Sequence, residues 1–260
     1  MEKIKAIFFD FDWTLFDHTI RQIPASTIKG IEEAQKNEVK IYINSARSYY
    51  SLDTLHIFDL IKFDGYITQN GGCAFLNDKE FYVHSFNKKD INRLISFLEE
   101  KQLGYILSTK YTSYIKVFDE KIVDNFYSVF YEMRPKDISE YKGEDIVCIQ
   151  IFCYGDMDKD IISLNPSFNY CRFATNCIEI SPIEYKKSEG IDCLIKNLNY
   201  KKEELMAFGD EDNDIKMFNV VKYGICMGNG HEGAKKAAYY VTSPILEDGI
   251  YNALKHFNVI

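Results

Sequence analysis

Two acidic clusters stand at the ends of apolar runs, and their placement is the first chemical signal in the chain. Ile4, Ala6, Ile7, Phe8 and Phe9 lead into Asp10 and Asp12, and "ELMAF" at 204–208 leads into Gly209-Asp210-Glu211-Asp212-Asn213-Asp214. A carboxylate buried at the end of a strand costs several kcal/mol unless a charged partner compensates it. One Asp after a strand serves as an ordinary helix cap, but two clusters of the same kind can converge on one hard cation. Mg²⁺ takes about six oxygens and keeps several waters, so two or three protein ligands suffice. A calcium loop of the EF-hand type is excluded, because Ile215 stands where that loop needs Gly and Val221 where it needs the last Glu.

The elements that must position these acids follow from periodicity. Strand patterns at 4–9, 39–43 and 65–68 alternate with helical patterns near 26–37 and 51–60, the signature of βαβ units and a parallel sheet. In such a sheet the ligand crevice lies at the carboxyl ends of the strands, where both acid clusters fall. After "NGG" at 70–72 strands follow one another: 73–76, 80–84, 104–108, 113–118, 146–152, 168–173 and 177–180, with helices near 88–102 and 120–131. That pattern predicts an antiparallel sheet with helices on one face. From 188 the first style returns, with helices at 188–197, 212–218, 231–237 and 247–257 between strands 204–208, 221–226 and 239–242. The expected organisation is an α/β core, 1–82 with 183–260, interrupted by an α+β insert at 83–182.

Composition narrows the function classes. The chain of 260 residues is 46% hydrophobic and 27% charged, an ordinary globular balance. A net charge of −8 offers no electrostatic footprint for nucleic acid. No apolar run approaches the roughly 18 residues of a membrane span, and Met1-Glu-Lys leads into a strand without a signal-peptide pattern. A cytoplasmic protein is expected. The seven cysteines form no CxxC pair, so neither a zinc knuckle nor a disulfide framework is signalled, and buried small side chains are the expected use. Oligomeric state is not encoded in any of these patterns.

The motifs together resemble the haloacid dehalogenase superfamily of phosphohydrolases, and within it the Cof-type phosphatases, which carry an α/β cap between their second and third motifs. Asp10-Phe-Asp12-Trp-Thr14 matches DxDxT, Asn44-Ser45-Ala46-Arg47 resembles the second motif, Lys187 falls at the family's lysine, and Gly209 to Asp214 matches GDxxND. "QNGG" at 69–72, "MGNG" at 227–230 and "EDGIYNAL" at 247–254 are similar to further family stretches. The resemblance implies a Rossmann-like core with residues 83–182 as the cap, and Mg²⁺-dependent hydrolysis of a small phosphorylated metabolite. It assigns Asp10 as nucleophile and Asp12 as general acid and base. Asp10, Asp210 and the main-chain carbonyl of Asp12 would hold Mg²⁺, Ser45 and Lys187 the phosphate, and Arg47, Asn213 and Asp214 would support them. Lys187 is preferred to Lys186 on family spacing alone.

Three residues depart from the family pattern. Trp13, Ala46 and Ser188 stand where Gly is usual. For Trp13 the expectation is an ordinary negative φ and a ring that either packs on the core or lies at the mouth of the site. On the insert, Arg172 and Asn176 are the residues that could set specificity. The same fold would also serve a phosphomutase or a non-catalytic phosphosugar-binding protein. A dinucleotide fingerprint at Gly228-Asn-Gly230-His-Glu-Gly233 is set aside, because Asp248 opens the last helix instead of ending the next strand.

Overall fold

The computed structural model describes residues 3–76, 79–129 and 134–260. The chain divides into two units, Met1–Ala46 with Ile57–Tyr82 and Lys186–Ile260, and Arg47–His56 with Val83–Tyr185. In chain order the strands are β1 (Ala6–Phe9), β2 (Lys40–Asn44), β3 (Gly65–Thr68), β4 (Cys73–Leu76), β5 (Lys79–Val83), β6 (Gly104–Ser108) and β7 (Ser113–Lys116). There follow β8 (Lys136–Asp137), β9 (Cys148–Phe152), β10 (Asn169–Ala174), β11 (Cys177–Ser181), β12 (Leu205–Gly209), β13 (Tyr223–Cys226) and β14 (Tyr240–Val241).

The first unit is built on a sheet in the order β14-β13-β12-β1-β2-β3-β4-β5. It is parallel from β14 to β3, and β4 then turns back antiparallel to β3. Every residue of β1 and β12 is buried, which is why these strands read as unbroken apolar runs. Ala6 and Phe8 share a cluster with Ile191 and Leu194 of helix Lys187–Leu198, and Phe8 stacks on Tyr42 at 5.1 Å. Phe9, of opposite parity, stacks on Phe208 at 5.0 Å. The register pairs Phe9 with both Ile43 and Phe208. Asp10, Ser45 and Asp210 therefore each stand one residue beyond the carboxyl end of three adjacent strands, where connections leave in opposite directions.

The second unit has a sheet in the order β10-β11-β9-β6-β7-β8, antiparallel except for the β7–β8 pair. Ile149 and Ile151 of β9 pack with Leu94 and Leu98 of helix Lys88–Glu100 and Ile161 of helix Asp158–Leu164. Phe152 points the other way, toward Val123 and Phe126 of helix Glu120–Val129. Helices therefore pack on both faces of this sheet, where the strand pattern predicts one.

Other differences from the sequence reading have local causes. The helix expected over 51–60 is two helices, Tyr49–Thr54 and Ile57–Leu60, broken at His56 with φ 56°. The break coincides with a boundary between the units. The helix expected over 120–131 is observed at Glu120–Val129, and its last two residues lie outside the described residues. Strand β8 and helix Asp158–Leu164 have no signal in the sequence pattern, because two residues carry no periodicity and the Asp-rich start of the helix masks its short apolar face.

Candidate active site

Asp10 continues β1, its N–H donating to the Phe208 carbonyl at 2.9 Å, and it is 6% exposed. Lys187 opens helix Lys187–Leu198 and is 1% exposed, whereas Lys186 is exposed. The Lys187 ammonium donates to Asp10 Oδ1 and, at 2.6 Å, to Asp214 Oδ1. Asn44 Nδ2 donates to the Lys187 carbonyl at 2.8 Å, tying the helix start to the end of β2. Both oxygens of Asp214 are engaged, because Oδ2 accepts the amides of Asp210 at 2.9 Å and Glu211 at 3.0 Å. Its carboxylate lies directly over Gly209, where an added Cβ would come within 2.6 Å of the Asp214 Cβ. Thr14, the last residue of the DxDxT match, donates to Asp210 Oδ1 at 2.9 Å.

Carboxylate oxygens of Asp10, Asp210 and Asp214 all lie within 4.8 Å of one another. With all three ionised, the carboxylates of Asp10, Asp210 and Asp214 against one ammonium would leave two negative charges unbalanced in a buried site. Burial raises the Asp10 carboxyl well above its usual range; Lys187 pulls it down, while Asp214, Asp210 and Asp12 push it up. Burial and the charge of Asp214 push Asp210 up to about 7, against the Thr14 hydrogen bond. Burial alone would lower Lys187, but the fields of Asp10 and Asp214 outweigh it and hold the ammonium above its ordinary value. An all-oxygen donor set with this charge imbalance fits a hard divalent cation. Asp214 is committed to Lys187 and two amides, which makes Asp10 and Asp210 the carboxylates available to such an ion.

The Asp12 side chain takes a different direction. It is 33% exposed, and its Oδ1 lies 2.7 Å from Nε2 of His18, a residue the motif reading did not select. With Asp12 ionised, Nε2 carries the proton and donates. His18 is delivered by a small turn in which Asp17 and Gln22 exchange main-chain hydrogen bonds and Asp17 Oδ1 accepts the amides of Thr19 and Ile20. A contact six residues away on an irregular loop has no periodic signature, so only the folded chain reveals it.

Trp13 corrects an expectation. Its φ is +60°, not negative, and its side chain is 40% exposed, so it is not a core residue. The turn imposes this conformation. Trp13 N–H donates to the Phe16 carbonyl at 2.8 Å and its own carbonyl accepts from Asn229 Nδ2 at 2.9 Å. Its ring stands 5.0 Å from that of His18. Asn229, inside the "MGNG" stretch, also accepts the Ile245 amide at 2.8 Å and so ties the two loops together.

Ser45 is fully buried, its N–H donating to the Ile67 carbonyl at 2.9 Å and its carbonyl accepting from Asn70 at 3.0 Å. Arg47 falls in the second unit and donates to Ser51 Oγ at 2.8 Å. Asn213 is exposed. Arg172, considered for specificity, is a structural residue: it forms an ion pair with Asp158 and donates to the carbonyls of Cys153, Ala174 and Thr175. Asn176 Nδ2 donates to the Ile122 carbonyl at 3.2 Å. All seven cysteines are free thiols and five are buried.

A parallel α/β sheet carrying these acids and a buried lysine at its carboxyl edge defines a class, and comparison with known proteins identifies it. The haloacid dehalogenase-like hydrolase family matches residues 7–254, and the chain belongs to that family. Among solved structures, the HAD subclass IIB sugar phosphatase BT4131 superposes with a TM-score of 0.79 at 30% identity, covering 98% of this chain and 100% of its own. YkrA of Bacillus subtilis is 28% identical over 257 residues, 98% of each chain. The 5-amino-6-(5-phospho-D-ribitylamino)uracil phosphatase YcsE of the same organism is 26% identical over 266 residues, 98% of this chain and 96% of YcsE.

Proposed function

We propose that the protein is a Mg²⁺-dependent phosphatase that hydrolyses a small phosphorylated metabolite in the cytoplasm through an aspartyl-phosphate on Asp10. The observation that carries this reading is the buried Asp10–Lys187–Asp214 chain beside Asp210, whose ionised form has an excess of two negative charges. Phosphoryl transfer depends on positioning and charge neutralisation more than on covalent chemistry. When bound, Mg²⁺ supplies the positive charge that lets a carboxylate approach a phosphate, and Asp10, Asp210 and the Asp12 carbonyl are the residues that would hold it. Residues 83–182 would serve as the cap. Seven free thiols accord with a reducing compartment.

In the first step the Asp10 carboxylate attacks phosphorus, the ester P–O bond breaks, and the leaving oxygen takes a proton from Asp12. Lys187 and Ser45 hold the remaining phosphate oxygens. In the second step water attacks the same phosphorus, gives its proton to Asp12, and the bond to Asp10 breaks, releasing inorganic phosphate. Asp214 keeps Lys187 aimed at Asp10 throughout. Phosphate release from a panel of phosphorylated sugars, nucleotides and cofactors tests the reading. Asp10→Asn is expected to lower kcat at least about a thousandfold, roughly 4 kcal/mol in the barrier. Retained turnover in that variant, or in excess chelator, would refute the mechanism.

A further inference from the structure

We infer that His18 is a positioning residue for Asp12, holding the carboxyl group that moves the proton at the leaving oxygen; this rests on the acid–base role proposed for Asp12. Three observations converge on it. Nε2 lies 2.7 Å from Asp12 Oδ1, well within the range of a charge-assisted hydrogen bond. The imidazole is held in place by aromatic neighbours, with the Trp13 ring at 5.0 Å tilted and the Phe16 ring at 5.1 Å edge-on. The backbone of the turn is held in turn by Asp17, whose buried carboxylate accepts the amides at 2.7 and 3.0 Å. A side chain that is itself fixed from two sides can fix another.

The need for such a device follows from the setting of Asp12. Asp10 is clamped by Lys187 in a buried site, whereas the Asp12 carboxyl is one-third exposed and belongs to a loop. A carboxyl group at the surface samples several rotamers, and a displacement of about 1 Å can cost a hundredfold in rate. The His18 N–H selects one of them. The proton bookkeeping is simple. Asp12 carries its proton on the carboxyl oxygen that does not face His18 and gives it to the leaving oxygen as the P–O bond breaks. The resulting carboxylate accepts from Nε2–H at Oδ1, and the incoming water then returns a proton to the other oxygen. His18 keeps its own proton in both steps.

The test uses His18→Phe, which retains an aromatic ring against Trp13 and Phe16 and removes the N–H, and His18→Gln, whose amide can place a donor near Nε2. Each is assayed with a primary alkyl phosphate, whose leaving oxygen must be protonated, and with p-nitrophenyl phosphate, whose leaving oxygen needs little help. For His18→Phe, kcat/KM on the alkyl phosphate is expected to fall about tenfold or more while the nitrophenyl ester changes less than about threefold. His18→Gln should recover most of the loss. Asp12→Asn should show the same selectivity more strongly, and the double variant Asp12→Asn/His18→Phe should lose nothing further, since coupled residues are non-additive. Equal losses on both esters in His18→Phe, or no loss, with Asp12→Asn still selective, overturn the inference alone. An unselective Asp12→Asn removes the acid–base reading, and the inference falls with it.

Discussion

Metal-free and metal-bound forms of this protein should differ in the pH dependence of their stability, and the sign follows from the acid cluster. Asp210 is pushed up to about 7 from an ordinary 3.8 by burial and by Asp214, and Asp10 is shifted in the same direction, first by burial. An acid whose folded pKa is raised stabilises the fold at low pH, and that contribution is lost as pH rises through the folded value. For Asp210 alone, moving from about pH 5 to about pH 8 removes roughly 3 kcal/mol of stability. At about 2 °C per kcal/mol for a chain of this size, that is a fall of about 6 °C in Tm. A divalent cation satisfies the same carboxylates in their ionised form, so the Tm increase on adding Mg²⁺ should be larger at pH near 8 than near 5. Thermal unfolding in chelator and in excess Mg²⁺, at both pH values, reads the effect without any substrate. Asp210→Asn sharpens the test, because it removes a buried charge while keeping an acceptor for Thr14. It should be more stable than the parent in chelator near pH 8 and should lose much of the response to Mg²⁺. A Mg²⁺ response of equal size at both pH values, or an Asp210→Asn variant less stable in chelator near pH 8, would refute the charge-imbalance argument.

Two backbone predictions follow from the same loops. Gly209→Ala drives a methyl group to within 2.6 Å of the Asp214 Cβ. It should cost about 2–3 kcal/mol of stability and displace the carboxylate that aims Lys187, lowering kcat, as chemical denaturation and phosphate release would show. A variant of parental stability would contradict the close approach. Trp13→Gly relieves a non-glycine residue held at φ +60°. It should change folding stability by no more than about 1 kcal/mol despite deleting a large aromatic, because the lost ring contact with His18 is offset by the removed strain. Trp13 is also the single tryptophan of the chain, so its emission should change when Mg²⁺ and beryllofluoride are added together. A loss of several kcal/mol in the glycine variant would show that the indole is a packing residue after all.

Much of this site was legible in one dimension because its central pieces obey local rules. Strand periodicity ending on Asp10, on Asn44-Ser45 and on Gly209-Asp210 places those residues at one edge of any parallel sheet, since each stands immediately beyond its own strand. Apolar runs buried on both faces mark β1 and β12 without reference to neighbours. What depended on approach between distant segments had no such signature. Lys186 and Lys187 are adjacent and chemically identical in sequence, and only the first turn of the helix puts one in solvent and the other between Asp10 and Asp214. Arg172 carries the charge expected of a specificity residue, but the fold gives it Asp158 and three carbonyls to satisfy. The φ of Trp13 departs from residue preference because that preference is weak beside the hydrogen bonds that close the turn at Phe16 and Asn229. His18 has no signature in the sequence, because a hydrogen bond across an irregular turn depends on where the backbone bends. Sequence periodicity decides which residues reach the edge of the sheet, while partner, protonation and orientation are decided by charges and main-chain groups that only the folded chain brings within hydrogen-bonding reach.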